Sequence, residues 1–166
     1  MTAATTDHPA TVTRRPATPA DDGLLRALFA DSREDLRLLP EPLVEMQQRA
    51  QAAQIAADHP DATRDVIVAD GVDAGALVLA TDAASVTVVD IVVARTHRKR
   101  GIAEAVLADV ITAAGDRPVL LTVWSENTAA RRLYQKLGFV ATADTEGHIP
   151  MQRPAGSIDR PAGRRP

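Results

Sequence analysis

The sequence contains no cysteine and very few aromatic residues. Without a thiol anywhere in the 166 residues, disulfide bonds, cysteine nucleophiles and thiolate metal sites are excluded. Aromatic residues make up 2% of the chain, which disfavours a nucleic-acid surface built on stacked rings. The formal net charge of −3 also disfavours a nucleic-acid or acidic-membrane partner, because proteins that bind these partners are usually basic.

The sequence also lacks long apolar runs. The opening "MTAATTDHPAT" has no apolar segment of signal-peptide type, and no run approaches 18 apolar residues. We therefore expect neither a signal peptide nor a membrane span, and a cytoplasmic location. Hydrophobic residues at 45% and charged residues at 25% are typical of a globular domain. The length predicts a single domain over 11–153. We expect a flexible tail at 1–10, which is rich in small and polar residues, and another at 154–166, which is rich in Pro, Gly and Arg.

Helical periodicity dominates the first third of the domain. "TVTRR" (11–15) predicts a short strand, and Thr18, Pro19 and Asp21 form a helix entry. Leu24, Leu25, Leu28, Phe29 and Leu36 recur at helical spacing, which predicts a helix to about Arg37. After "LLPEP", a second helix carries one apolar stripe that comprises Leu43, Met46, Ala50, Ala53 and Ala57.

The period then changes to that of strands. "DVIVA" (65–69) and "VDAGALVLA" (72–80) flank the turn pair Asp70-Gly71 and predict a hairpin. "SVTVVDIVVA" (85–94) is apolar on both faces, which is typical of a central strand. A helix at 102–114, a strand at 119–124, a helix at 128–136 capped by Asn127, and a strand from Phe139 follow, with one further strand near "HIPMQR". The order β-α-α-β-β-β-α-β-α-β predicts an α/β fold with a mixed central sheet and helices on both faces.

The junction "HRKRG" joins the central strand to a helix start. The first N–H groups of a helix lack acceptors, and the helix dipole adds partial positive charge there, so this junction is a candidate anion site. Its pattern is R-x-x-G-x-A, from Arg98 to Ala103, and it matches neither the Walker nor the dinucleotide motif. A solvated basic loop explains this single pattern equally well.

A second motif favours the anion site over the solvated basic loop. "ENTAARRLYQKLGF" (126–139) reads N-x-x-A-x-x-L-Y-x-x-x-G-F and follows the first motif by about 25 residues. The pair, in this order after a strand, resembles the GNAT superfamily of N-acetyltransferases, and the similarity is clear from Val86 to Val140. Arg95 and Lys99 depart from the family pattern, which often has proline and glycine at these positions.

The resemblance implies a GNAT-like fold and binding of acetyl-CoA as cosubstrate. The strands at 86–93 and 119–124 would splay apart, and backbone groups of Ile91, Val92 and Val93 would pair with the pantetheine arm. N–H groups from Lys99 to Ala103 would hold the pyrophosphate. The implied cofactor-binding residues are Ile91, Val92, Val93, Arg98, Lys99, Arg100, Gly101, Ile102, Ala103, Asn127, Ala130 and Tyr134.

Two residues are candidates for the chemistry. Tyr134 resembles the family's general acid, which protonates the leaving thiolate of CoA, although a core-packing ring is the alternative. Asp90 lies among valines and is either a base for the acceptor amine or half of a structural ion pair. Strand alternation places Asp90 on the face of Val88 and Val92. Glu34 and Asp35 are rival bases acting through water.

The acceptor is left open by the sequence. The implied reaction is direct attack of a primary amine on acetyl-CoA in a ternary complex, with a catalytically silent acyl-CoA-binding module as the alternative. The acceptor is a small-molecule or peptide amine; nucleic acid, membrane and metal are not expected. A homodimer is one open oligomeric state. Trp124 is expected either to line the acceptor site or to fill the space under a helix, and His148 either to line it or to lie on the surface. The roof of the site would offer Arg33, Glu34, Arg37, Gln47, Gln48 and Gln51.

Overall fold

The computed structural model describes residues 10–33, 36, 38–143 and 145–156. Most of the two expected tails therefore lies outside the described residues. The same holds for Glu34 and Asp35, the rival bases, and for Arg37.

In these residues, seven strands form one mixed sheet. They are β1 (Val12–Pro16), β2 (Thr63–Ala69), β3 (Val72–Thr81), β4 (Val86–Val93), β5 (Val119–Trp124), β6 (Val140–Ala141) and β7 (His148–Arg153). Their order across the sheet is β1-β2-β3-β4-β5-β7-β6. The β4–β5 pair is parallel and the other pairs are antiparallel. The apolar strand β4 lies at the centre, as its sequence predicts.

Helices cover both faces of this sheet, so the predicted α/β architecture is confirmed. They are α1 (Asp22–Ser32), α2 (Glu41–Asp58), α3 (Ile102–Ala114) and α4 (Thr128–Lys136). The main core lies between the sheet and α3 and α4, where Val106 and Leu107 are fully buried with Leu77 and Val88. Helices α1 and α2 lie against the opposite face, over Ala76, Val78 and Val92. Along the described chain, no helix is long and apolar enough to cross a bilayer.

The predicted end of the first helix is wrong. Helix α1 ends at Ser32 and not near Arg37, and Arg33 is extended with φ −130° and ψ 116°. The Ser32 hydroxyl donates to the carbonyl oxygen of Phe29 at 2.7 Å, a local bond that competes with helix continuation. Leu36 is still buried, in a small cluster with Phe29 and Val44. The helical spacing identified a core residue but not the element that carries it.

The apolar stripe of the second helix faces solvent. Leu43 is 42% exposed and Met46 is 57% exposed, and Ala50, Ala53 and Ala57 are exposed as well. The side of α2 that packs on the protein carries Val44, with Gln48, Ala52 and Ile55 partly buried. Because α2 has alanines on several sides, apolar spacing alone selected the wrong face.

The strand predicted from Phe139 is short and begins one residue later. Phe139 is 2% exposed and belongs to the core, while the strand after it, β6, has two residues. The strand predicted near "HIPMQR" is β7, and it inserts between β5 and β6 along the whole of β5. Strand β7 is therefore the neighbour of β5 on the side away from β4.

Candidate active site

The parallel strands β4 and β5 pair only at their beginnings. The paired residues are Val86 with Val119, Thr87 with Leu120, and Val88 with Leu121. Beyond Leu121 the described strands separate, and a cleft of about 160 Å³ opens between them. Its lining residues are Val88, Val89, Asp90, Ile91, Leu121, Thr122, Val123, Trp124, Asn127 and Tyr134. The separation leaves one edge of β4 available to an extended polar ligand.

A β-bulge in β4 changes which way Asp90 faces. Val88 pairs with Leu79 but Asp90 pairs with Val78, so Val89 is an extra residue in the ladder. Val88 accordingly belongs to the core under α3 and α4, whereas Asp90 and Val92 line a cavity on the α1–α2 face. The prediction that Asp90 shares a face with both valines is thus wrong for Val88 and right for Val92.

Asp90 is a half-buried carboxylate close to the cleft. Burial raises its pKa above the ordinary aspartate value, and the charge of Arg64 and a hydrogen bond from the Ile91 N–H oppose this effect. Among the described residues, no ion pair to Asp90 is formed within 4.0 Å. A raised carboxylate pKa in a cleft is a property of catalytic bases.

Tyr134 has a packed ring, and its hydroxyl makes no hydrogen bond within the described residues. The residue is 8% exposed, and its ring lies 5.8 Å from that of Phe139. Within the described ranges, its hydroxyl donates no hydrogen bond to the protein, although it lines the cleft. Burial, and then the charge of Asp90, raises the pKa of Tyr134 above its ordinary value of 10.0. The side chain is therefore protonated at neutral pH.

The turn before α3 presents backbone donors. Lys99 and Gly101 both have positive φ, at 62° and 73°, which is the conformation that favours glycine. Lys99 stands where the family often has glycine and adopts that conformation nonetheless. In the described chain, the N–H groups from Lys99 to Glu104 find no protein acceptor, and the first helical bond runs from Ala105 N to Gly101 O. The turn thus has the donors of an anion site.

Two basic side chains of this turn are held by the protein. Arg98 Nε donates to the carbonyl oxygen of Val93 at 2.9 Å, and its Nη2 donates to that of Asp31 at 3.1 Å. Arg100 forms an ion pair of 2.8 Å with Asp70 in the β2–β3 turn. Arg98 therefore joins the end of β4 to the end of α1, and Arg100 joins this turn to the β2–β3 turn.

The start of α4 forms the other wall of the cleft. The Asn127 side chain accepts a hydrogen bond from the Ala130 N–H at 3.1 Å, so Asn127 is the N-cap of α4. Tyr134 lies two helical turns further on the same helix.

The three β4 residues expected to hold the pantetheine arm lie on both faces of the sheet. Ile91 and Val93 pack against the main core, with Val92 on the opposite face.

Trp124 and His148 lie together on adjacent strands. They are paired in register between β5 and β7, and their rings meet edge to face at 4.7 Å. Trp124 lines the cleft and is 47% exposed, so it does not fill the space under α4. His97 contacts Thr96 in an exposed turn.

One cavity-lining residue was missed by the sequence analysis. Arg64, at the start of β2, lines the same cavity as Asp90, together with Gln48 and Gln51 of α2. Its short strand carries no motif, so no signal in the sequence indicates it. In the described ranges, no group of three or more His, Asp or Glu side chains is arranged to hold a metal ion.

Comparisons with known proteins bear on the family and the fold. The model of the acetyltransferase (GNAT) family matches residues 25–139. An acetyltransferase structure from Thermus thermophilus is 23% identical, with a TM-score of 0.68, and the match covers 89% of this chain and 99% of that one. A histone acetyltransferase HPA2 and related acetyltransferase from Corynebacterium glutamicum is 22% identical, with a TM-score of 0.66 and coverage of 92% and 100%.

A third solved structure contains a ligand. It is the PaiA N-acetyltransferase of Thermoplasma acidophilum in complex with coenzyme A, 14% identical, with a TM-score of 0.66 and coverage of 87% and 99%. A search of the curated proteins found no match. At these identities the solved structures show a shared fold.

Proposed function

The chain belongs to the acetyltransferase (GNAT) family, and we propose that it transfers the acetyl group of acetyl-CoA to a primary amine by direct attack in a ternary complex. The family uses acyl-CoA donors, and the relative from Thermoplasma acidophilum was solved with coenzyme A. Residues 11–153 would act as one transferase domain. The observation that carries the proposal is the cleft between β4 and β5, with the Tyr134 hydroxyl in its wall.

The residues present fit acetyl-CoA. The free N–H groups at the start of α3 suit a pyrophosphate, and Arg98, Lys99 and Arg100 supply positive charge around them. The unpaired edge of β4 suits the amides of the pantetheine arm, which Ile91, Val92 and Val93 would hold as an added strand. Asn127 and Ala130 would bound the arm on the α4 side. An N–H group of β4 would also donate to the thioester carbonyl as negative charge develops there.

Asp90 is the proposed base. An alkylamine with a pKa of about 10.4 is deprotonated only in about one part in 2,500 at pH 7, which adds about 4.6 kcal/mol to the barrier. A carboxylate at the cleft lowers this barrier by accepting the ammonium proton, directly or through water. The raised pKa of Asp90 makes it a stronger base than an ordinary aspartate.

Tyr134 is the proposed general acid. As nitrogen attacks the carbonyl carbon and the C–S bond breaks, the Tyr134 hydroxyl donates to the sulfur. The ammonium proton accepted by Asp90 is released to solvent, and the second proton lost from nitrogen restores the Tyr134 hydroxyl, so the products are an amide and a free thiol, with the enzyme unchanged. Since the chain contains no cysteine, an acetyl-cysteine intermediate is excluded.

The test is thiol release from acetyl-CoA in the presence of pooled primary amines. Because the protein has no thiol of its own, a thiol reagent reports CoA without background. We expect amine-dependent release and no acetylation of the protein by acetyl-CoA alone, measured by intact mass. A silent acyl-CoA-binding module would bind acetyl-CoA in calorimetry but release no thiol with any amine. That result would overturn the proposed function.

A further inference from the structure

Two adjoining cavities mark a path from solvent towards Asp90 on the α1–α2 face of the sheet. Its outer part, here the outer chamber, has a volume of about 420 Å³ and lies between the start of α1, the end of α2 and β2. Its inner part, here the neck, has about 40 Å³ and ends at Asp90 and Val92. The chamber and the neck share four lining residues, which are Leu25, Ala52, Arg64 and Val78.

The neck and the cleft adjoin at Asp90. Asp90 lines both the neck and the cleft that contains Tyr134. A group placed in the neck would therefore lie next to Asp90, the proposed base, on the side opposite to α3 and α4. The outer chamber has the size of a small-molecule site, and its lining combines apolar and polar groups.

Arg64 lies at the junction of the chamber and the neck. It pairs with Val78 across β2 and β3, and Val78 pairs with Asp90 across β3 and β4. The three residues form one row, and two strand spacings put the Arg64 and Asp90 backbones about 10 Å apart. A positive group and the proposed base are thus aligned along the path.

Among the described residues, the guanidinium of Arg64 acts on Asp90 through its charge, which lowers the Asp90 pKa, but it forms no ion pair with it. Its residue is half-buried, and in the part of the chain that the structure describes its side chain makes no hydrogen bond or ion pair. The adjacent carboxylate, Asp65, is bound by Arg14 at 3.1 Å, and Arg15 is bound by Asp21 and Asp73. The other charged or titratable groups of the path are Asp22 and His59 in the chamber and Asp90 in the neck.

We propose that the acceptor is a small amino carboxylate, such as a free amino acid, whose carboxylate binds Arg64 and whose amino group is presented to Asp90. This inference rests on the proposed function and adds the substrate class. A guanidinium forms paired hydrogen bonds with a carboxylate, and the half-buried position strengthens them. Gln48, Gln51 and Ser32 offer further polar contacts in the neck. Polyamines and basic peptides would place a second cation against Arg64 and are disfavoured.

The test compares amines that differ only in the carboxylate. Thiol release is measured with leucine, phenylalanine and lysine, with their decarboxylated counterparts isoamylamine, phenethylamine and cadaverine, and with the neutral leucinamide. We expect kcat/KM to be about 10- to 100-fold higher for at least one amino acid than for its counterpart, the usual loss for a charge-assisted hydrogen bond. The phosphonate analogue of leucine separates a carboxylate site from a general anion site.

Arg64→Met supplies the second arm. We expect it to lower kcat/KM for the amino acid relative to its decarboxylated counterpart by the same factor, mainly through KM, and to leave the calorimetric affinity for acetyl-CoA unchanged. Because the charge of Arg64 also lowers the pKa of Asp90, the ratio between the two amines is the quantity compared. Arg49→Met is the matched control, since Arg49 is 78% exposed and bound to Glu45. Thermal melting of both variants shows whether they are folded, and Arg64→Lys should recover part of the preference.

The outcomes separate the two proposals. Turnover of amines with no preference for the carboxylate, or an equal effect of Arg64→Met on both members of a pair, would overturn the inference and leave the proposed function standing. Preference for the phosphonate over the carboxylate would also overturn it. Turnover of no amine at all would overturn the proposed function and this inference with it.

Discussion

Tyr134 shows how one side chain serves packing and chemistry at once. Its ring lies in the main core beside Phe139, which fixes the direction of the hydroxyl. The hydroxyl points to a cleft instead of to a protein acceptor in the described chain. A ring that only filled the core would gain from a satisfied hydroxyl. The arrangement therefore favours a role in catalysis.

Tyr134→Phe should separate these two functions. The variant keeps the ring, so we expect near-normal stability and near-normal acetyl-CoA affinity in calorimetry. The proton donor is lost, so kcat should fall by about 10²-fold or more. In the wild type, the raised pKa of Tyr134 should place any alkaline loss of activity due to this group above pH 10. Turnover within twofold of the wild type, with chemistry rate-limiting, would mean that the residue only packs.

Gly75 is a position at which the neighbouring strand leaves no room for a side chain. A Cβ at this position would lie 2.3 Å from the carbonyl oxygen of Val92, on the strand that bears the proposed pantetheine contacts. We expect Gly75→Ala to destabilise the protein by about 1–3 kcal/mol, because β3 and β4 must move apart. Denaturant unfolding measures this change.

Gly23→Ala is the matched control for Gly75→Ala. Gly23 lies in α1, and no atom is within 4 Å of an added Cβ. The same substitution should there be neutral or stabilise the protein by up to about 1 kcal/mol, because alanine favours the helix. Equal effects at the two positions would refute the proposed clash with Val92.

At the scale of elements, the sequence predicted some parts of the fold to the residue. Helices α3 and α4 and strand β5 have the predicted bounds, because Gly101, Asn127 and the hydrophobic run at 119–124 are strong local signals. The end of α1 and the buried face of α2 were not predictable in this way. The buried face of α2 depends on which side of a weakly patterned helix meets the sheet, and this is decided by tertiary packing. The apolar spacing continues past the end of α1 because Leu36 is buried outside the helix.

The same distinction holds within the site. The turn before α3 and the cap of α4 are local structures, and the motifs located both. The bulge at Val89 is a property of the β3–β4 pairing, and no run of valines around one aspartate indicates it. The alternation of a strand fails across a bulge, which is why the face of Asp90 was predicted incorrectly with respect to Val88. Arg64 was missed for a similar reason, since its place in the cavity depends on strands far apart in sequence.

The N-terminal turn of α3 can be tested with a pair of near-isosteric variants. Gly101 has φ +73°, and no atom lies within 4 Å of an added Cβ. Asn and Asp tolerate this conformation better than other residues. Gly101→Asp adds a negative charge where phosphate would approach, so we expect its acetyl-CoA affinity to fall well over tenfold.

Gly101→Asn carries almost the same shape without the charge. Calorimetry should show a smaller loss for this variant than for Gly101→Asp. The gap between the two should narrow as salt is added, because screening weakens the repulsion. Unchanged binding by a folded Gly101→Asp variant would exclude this turn as the phosphate site.

At the scale of the whole molecule, the negative charge that Asp90 needs as a base lowers the stability of the fold. Burial raises its pKa in the folded protein, so the folded state holds this proton more tightly than the unfolded state does. Stability from this group is present below the unfolded pKa of about 3.9 and is lost as pH rises through the folded pKa. At neutral pH the buried charge therefore destabilises the fold, and Asp90→Asn should raise the melting temperature by about 2–4 °C for each kcal/mol recovered.

The pH dependence and the activity of Asp90→Asn complete the argument. The gain in stability over the wild type should shrink as pH falls through the raised pKa of Asp90, because the wild-type carboxyl is then neutral as well. Asp82→Asn is the control with the opposite sign, because backbone N–H groups of Ser85 and Ala84 lower the pKa of Asp82. The Asp90 variant should keep acetyl-CoA affinity, lose kcat/KM for the amine, and recover part of it at high pH, where each pH unit supplies about tenfold more free amine. If the variant is more stable and equally active at pH 7, Asp90 is not the base, and Glu34 and Asp35 become the residues to replace.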